Sequence, residues 1–172
     1  ISLENGCYQR TGLALNPVKN QIYIGFGHCN HGWLLAYDKT SLKQTAIFND
    51  TPNGAGGGLW NGGGAPAIND LSGHVYITTG VDQDDPLSGY NDSFLQLSAE
   101  DLSVQDFFTP DDASFLAAND ADLGSGSPVL MPDNSSGTPF EIIGGGKDGR
   151  LFVVNRSSMG SFSSTSNNVI QM

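Results

Sequence analysis

The feature that most constrains this chain is that it repeats itself. Residues 12–27 read GLALNPVKNQIYIGFG and residues 65–80 read APAINDLSGHVYITTG. Laid together without a gap, they share Ala14/Ala67, Leu15/Ile68, Asn16/Asn69, Ile22/Val75, Tyr23/Tyr76, Ile24/Ile77 and Gly27/Gly80. Each is a short apolar strand, a polar turn, and a β-branched and aromatic strand closed by glycine. A second likeness follows, with one gap: WLLAYDKTSLKQTAIFNDTP (33–52) and FLQLSAEDLSVQDFFTP (94–110). Both read as strand, turn, strand, with an aromatic residue before a Thr-Pro stop. A third unit begins at Ser127 with SPVLM, continues with PFEIIGGG (139–146), turns at Lys147-Asp148-Gly149 and runs on through RLFVVN (150–155). Asp-Gly supplies the positive-φ positions that a tight hairpin needs. NVIQM (168–172) offers a fourth strand.

Three units of about four strands each are expected over 11–52, 64–110 and 126–172. No stretch sustains helical periodicity; Ala113–Ala118 holds one turn at most. The fold expectation is therefore all-β, with residues 1–172 forming a single partial β-propeller of about three four-stranded antiparallel blades. The competing architecture is a β-sandwich, whose strands have no reason to resemble one another. Three blades do not close a ring that takes roughly 4–8. The expectation is that the open faces are covered by a protein partner, by the rest of the chain's own propeller, or by self-assembly through open blade edges.

Charge narrows the function. The chain has 172 residues, with Lys plus Arg 7 and Asp plus Glu 18, a formal net charge of −11. Residues 44–146 contain no Lys or Arg against 15 acidic residues. Such a surface repels nucleic acid and anionic lipid, because both are bound by neutralising phosphates. No apolar run is long enough for membrane insertion as a helix. Nine Phe, five Tyr and two Trp are too many for a disordered acidic tail.

Ile1 begins either a mature chain or a fragment, with no leader pattern. The two cysteines, Cys7 and Cys29, read either as buried thiols or as one disulfide. Few lysines, many Gly and Asn, and the acidic surface suit an extracellular or periplasmic protein. Asn-x-Ser/Thr triplets stand at Asn49, Asn91, Asn134 and Asn155, of which one or two arise by chance at this asparagine content.

GGGKDGRLFVVN resembles the Gly-Asp-Gly strand repeat of the pyrroloquinoline quinone (PQQ) family of propellers. LLAYDKTSLKQ is similar to the strand-turn-strand that ends a blade there. GGGLWNGGGAPAINDLSGHVYITTG (56–80) is similar to their tryptophan-bearing Gly-rich segment, and FFTPDDASFLAANDADLGSGSPVL (107–130) to their Thr-Pro-x-Asp segment. The resemblance covers residues 10–160 and is nearest to uncharacterised secreted members.

The resemblance implies a quinone floor at Trp60, whose ring would stack on the cofactor while the glycines around it let the backbone approach. The same residues also read as a core or channel-lining aromatic with glycines turning the chain. The family's enzymes further use Ca²⁺ and a catalytic carboxylate. Their cation-binding Asn would follow Thr79-Gly80, where Val81-Asp82 stands; their Gly-Asp-Asn would fall at Leu87-Ser88-Gly89-Tyr90, which has no carboxylate. Asp85 and Asp92 flank that stretch. No catalytic residue is assigned.

Two acidic clusters are candidates for Ca²⁺, a cation that takes six to eight oxygens. One is Asp82, Asp84, Asp85 and Asp92; the other is Asp111, Asp112, Asp120 and Asp122. Each also reads as a solvated loop. His28, Cys29 and His31 have transition-metal chemistry but lack identifiable third and fourth ligands. The leading expectation is a non-catalytic binding or scaffold propeller outside the cytoplasm. The alternative is part of a PQQ- and calcium-dependent alcohol or sugar dehydrogenase.

Overall fold

A computed structural model describes residues 6–81, 85, 87–133 and 140–172. The first sheet contains β1 (Tyr8–Gln9), β2 (Ala14–Asn16), β3 (Gln21–Gly27), β4 (Trp33–Asp38) and β5 (Gln44–Asn49). β1 and β2 share one edge of β3, pairing Tyr8 with Gly27 and Leu15 with Ile22; β4 and β5 follow on the other edge. The second sheet contains β6 (Ala67–Ile68), β7 (Val75–Thr78), β8 (Phe94–Leu97) and β9 (Val104–Thr109), paired in chain order. The third contains β10 (Val129–Leu130), β11 (Glu141–Gly145) and β12 (Leu151–Asn155). Pairing among these twelve strands is antiparallel.

Local chemistry explains the turns. The shared asparagine of the repeat does the same work twice: Asn16 Oδ1 accepts the N–H groups of Val18 and Lys19, and Asn69 Oδ1 those of Leu71 and Ser72. These Asx turns satisfy backbone donors and reverse the chain. The outer hairpins match as well. Leu42 N–H donates to Asp38 O and Leu102 N–H to Ser98 O, and both leucines take left-handed backbone, φ 56° and 61°.

Alternation places one side of each strand on a neighbouring sheet. Tyr23, Leu34, Ala36 and Phe48 of the first sheet pack against Val75, Ile77, Leu95 and Leu97 of the second. Tyr76, Phe94 and Phe108 on the second sheet's other face pack against Ile142, Phe152 and Val154 of the third. The phenylalanines Phe94, Phe108 and Phe152 form a triad with ring centroids 5.7–6.4 Å apart. The three sheets therefore stack in series, each new sheet covering the last.

The end of the chain departs from expectation. Residues 168–172 make only an isolated antiparallel bridge, Gln171 to Val153. Instead β13 (Ser161–Phe162) returns to the second sheet and runs parallel to β9, Ser161 opposite Phe108. The cause is an anchor before it: Met159 is fully buried in the second cluster and its N–H donates to Asp106 Oδ2 at 2.9 Å. Gly160, at φ 91°, then turns the chain. The single expected helical turn is a six-residue helix, α1 (Ala113–Ala118), with Ala113, Leu116 and Ala117 buried and Phe115 turned outward. No helix among the described residues is long and apolar enough to cross a membrane.

Candidate functional site

Loops between the sheets meet around a cavity of about 880 Å³ that contains Trp60. Its walls come from four places: the N-terminal segment (Arg10), the end of β3 (His28), the Gly-rich segment 55–63, and the joint between second and third sheets (Asp120, Asp122, Lys147).

Trp60 lies on glycine backbone. A Cβ on Gly80 would stand 2.9 Å from its indole nitrogen, and one on Gly58 3.4 Å from the same atom. At Gly80 only glycine lets the chain approach the ring so closely, and at Gly58 the backbone φ of 126° favours it. The Arg10 guanidinium lies over the indole, 5.2 Å from the centroid, an arrangement favoured by the ring quadrupole. Arg10 is carried there by β1. Cys7 and Cys29 form a disulfide that ties β1 to the loop after β3, and Tyr8 stacks on His28 with centroids 4.7 Å apart.

The Gly-rich segment is held by a carboxylate that sequence reasoning did not single out. Asp50, at the end of β5, is fully buried. Its Oδ1 accepts the Gly32 N–H and its Oδ2 the Gly58 N–H, each at 2.8 Å. Burial pushes its pKa up to about 6, against the opposing pull of the Gly58 and Gly32 hydrogen bonds. The signal in sequence was an acidic residue placed between an apolar strand and the Gly run.

The second joint has two more buried carboxylates. Asp92 sits at φ 41°, 1% exposed; its Oδ1 accepts the Leu123 N–H at 2.9 Å, and its Oδ2 has no hydrogen-bond partner among the described residues. Burial drives its pKa up to about 7, and nearby Asp122, Asp148 and Asp112 add to the rise. Asp122 Oδ1 accepts the Val81 N–H at 2.9 Å, and its Oδ2 pairs with Lys147 Nζ at 2.5 Å. Lys147 also binds Asp120 through its carbonyl and carboxylate oxygens, at 2.9 and 3.0 Å. Partial burial pulls the lysine pKa down, the bonds to Asp122 and Asp120 outweigh it, and the net displacement is upward.

Several of the described metal candidates are engaged by other side chains. Asp111 pairs with Asn167, Asp112 with Arg150, and Asp120 and Asp122 with Lys147. Asp85 lies on the loop leading to Asn91, which donates to its carbonyl, whereas Asp92 points to Leu123 in the other joint. Asp82 and Asp84 lie outside the described residues. Cys29 is spent in the disulfide, His28 in stacking, and His31 Nδ1 lies 3.3 Å from Thr51 Oγ1. Among the described residues, no three His, Cys, Asp or Glu side chains converge as a metal site. Asn91 is 2% exposed with its amide donating to Asp85 and Ser88 carbonyls, which closes it to glycosylation in the folded chain. Asn134 lies outside the described residues.

The sequence matches no protein-family model and no curated protein. Its structure does have likenesses. The quinohemoprotein alcohol dehydrogenase from Comamonas testosteroni overlays at TM-score 0.69 and 17% identity, over 90% of this chain and 28% of that one. Quinohemoprotein alcohol dehydrogenase ADHIIG from Pseudomonas putida HK5 overlays at 0.66 and 17%, over 86% of this chain and 26% of that one. The fold is that of a partial β-propeller. BamB from Moraxella catarrhalis overlays at 0.49 and 10%, over 94% of this chain and 36% of that one, a likeness too loose to carry an argument. The chain thus spans little more than a quarter of the length of either dehydrogenase.

The quinone and Ca²⁺ that the sequence resemblance implies make definite demands on such a cavity. A planar cofactor on Trp60 needs the ring face over which Arg10 lies. A calcium ion needs six to eight oxygens. Here Asp120 and Asp122, the carboxylates lining the cavity, already share one ammonium that occupies the place a cation would take. These residues do not fit the pair.

Proposed function

We propose that this chain is a non-catalytic binding or scaffold module of an extracytoplasmic propeller, with residues 11–52, 64–110 and 126–172 as consecutive blades. One observation carries the reading: the chain's own ammonium, Lys147, holds Asp120 and Asp122 at the cavity beside Trp60. A cation that activates a quinone would have to displace it. The placement of Asp50, Asp92 and Asp122 on backbone N–H groups supports the same view, because each carboxylate serves to pin a loop. The cavity retains an aromatic face and charged walls, and so keeps the means to bind. The Cys7–Cys29 disulfide supports a location where thiols are oxidised. The partner at the open faces is another protein, the rest of the chain's own propeller, or another copy.

The second reading, part of a PQQ- and Ca²⁺-dependent alcohol or sugar dehydrogenase, is favoured by Trp60 on its glycine bed. One assay separates the two. The chain is incubated with PQQ and CaCl₂, and dye reduction is followed on adding an alcohol or a sugar. The expected outcome is no substrate-dependent rate and no Ca²⁺-dependent change in tryptophan fluorescence. Chelator-sensitive oxidation that Trp60→Ala abolishes would overturn the proposal.

A further inference from the structure

Among the described residues the middle sheet is covered on both faces and the outer two on one, so the stack ends in two open sheet faces. The internal repeat lets one open face be compared with its covered counterpart. Val75, Ile77 and Leu102 of the second unit are 0%, 0% and 1% exposed, packed on the first sheet. Their counterparts Ile22 and Ile24 are half-buried and Leu42 is 68% exposed. Leu42 and Leu102 share the same backbone conformation, so what differs is the neighbour and not the local fold. The open face is apolar: Leu15 lies opposite Ile22 and Ile22 opposite Tyr37, while Ile24 and Ile47 flank Leu35, which is itself buried. At the far end of the stack, Val129, Ile143 and Val153 stand in register on the third sheet's outer face.

Each joint inside the molecule sets the Tyr23/Tyr76 side of one sheet against the opposite side of the next, which in the second sheet is the side of Ile77. The stack starts with an uncovered face of the Ile24/Ile77 kind and ends with an uncovered face of the other kind. One chain therefore carries both halves of the joint it lacks. We propose that two copies associate head to tail, the third sheet of one on the first sheet of the other. Such a heterologous contact closes when the rotation returns to its start. Two copies give six sheets, within the roughly 4–8 of closed propellers. The contact side chains Leu15, Ile22, Ile24, Ile47, Val129 and Ile143 are uncharged, whereas each copy carries −11. Association is therefore stronger at high salt, which screens the repulsion between copies. The inference stands on the sheet stack alone and holds whether or not the cavity is catalytic.

The test is the mass of the purified chain in solution, by sedimentation equilibrium over a concentration series at low and high salt. The expected mass is twice 18.1 kDa, with tighter association at high salt. Leu15→Asp and Val129→Asp act at positions each 56% exposed, so neither disturbs the fold, which circular dichroism verifies. Each weakens association by about tenfold or more. Mixing the two variants restores one joint, because each supplies the intact face the other lacks. A mass of 18.1 kDa at every concentration overturns the proposal and leaves these faces to further sheets or to another protein. A dimer that neither variant weakens, or that mixing does not rescue, overturns the head-to-tail arrangement.

Discussion

The two joints between sheets solve one problem with different chemistry. The first is mainly aliphatic, and its carboxylate, Asp50, has an N–H donor on each oxygen. The second is built on three phenylalanines, and its carboxylates are less evenly served: Asp92 has one donor and one bare oxygen, and Asp122 leans on Lys147. A buried carboxylate with matched donors is a fixed part. One with an unmatched oxygen remains sensitive to protons. The second joint should therefore respond to pH over the higher range, and to loss of a counter-charge.

The largest effect that would break this contrast is in the hydrocarbon. Phe152→Ala removes the third-sheet member of the phenylalanine triad and should cost about 3–5 kcal/mol in urea unfolding. Phe48→Ala, at an 8% exposed site in the first joint, should cost less; equal losses would erase the distinction between aromatic and aliphatic joints. Next comes Asp50→Ala, which strands two buried N–H groups at about 1–3 kcal/mol each. A loss of a few tenths would mean that Asp50 does not hold the Gly-rich segment.

A smaller effect concerns pH. The native pKa values are about 7 for Asp92 and about 6 for Asp50, against 3.8 for a free aspartate. Across that window the native state holds more protons than the unfolded chain, so these groups make stability fall as pH rises from about 4 to 7. Asp92→Asn should flatten the upper part of the fall and make the protein more stable than wild type at pH 8. Urea midpoints at pH 5 and pH 8 decide it, and an unchanged slope would show that Asp92 is not the group titrating. The smallest effect is Lys147→Met. Lys147 is 43% exposed, so losing its ion pairs should cost about 0.2–1 kcal/mol, less at high salt.

The repeat made the first two sheets legible. Asn16/Asn69 marked equivalent turns, and Ile22/Val75 and Ile24/Ile77 marked equivalent strands, because periodicity two and turn chemistry are local properties. Trp60 was legible too, since glycines on both sides of a tryptophan announce close backbone approach. Arg10, Asp50 and Lys147 were not, because they reach their positions from segments far apart in the chain. The pairing within the acidic clusters was hidden for the same reason. Sequence displays how few cations there are, but not that Arg150 and Lys147 are spent on Asp112, Asp120 and Asp122. β13 was invisible because two residues carry no pattern, and its place is dictated by the buried Met159 just before it.

The bond between Cys7 and Cys29 also determines how this protein behaves when it is cut. A protease that clips the exposed turn after Asn16 breaks a peptide bond inside the covalent loop, so the two pieces stay joined. Such nicked material would migrate as one band on an unreduced gel and release a short N-terminal peptide only after thiol treatment.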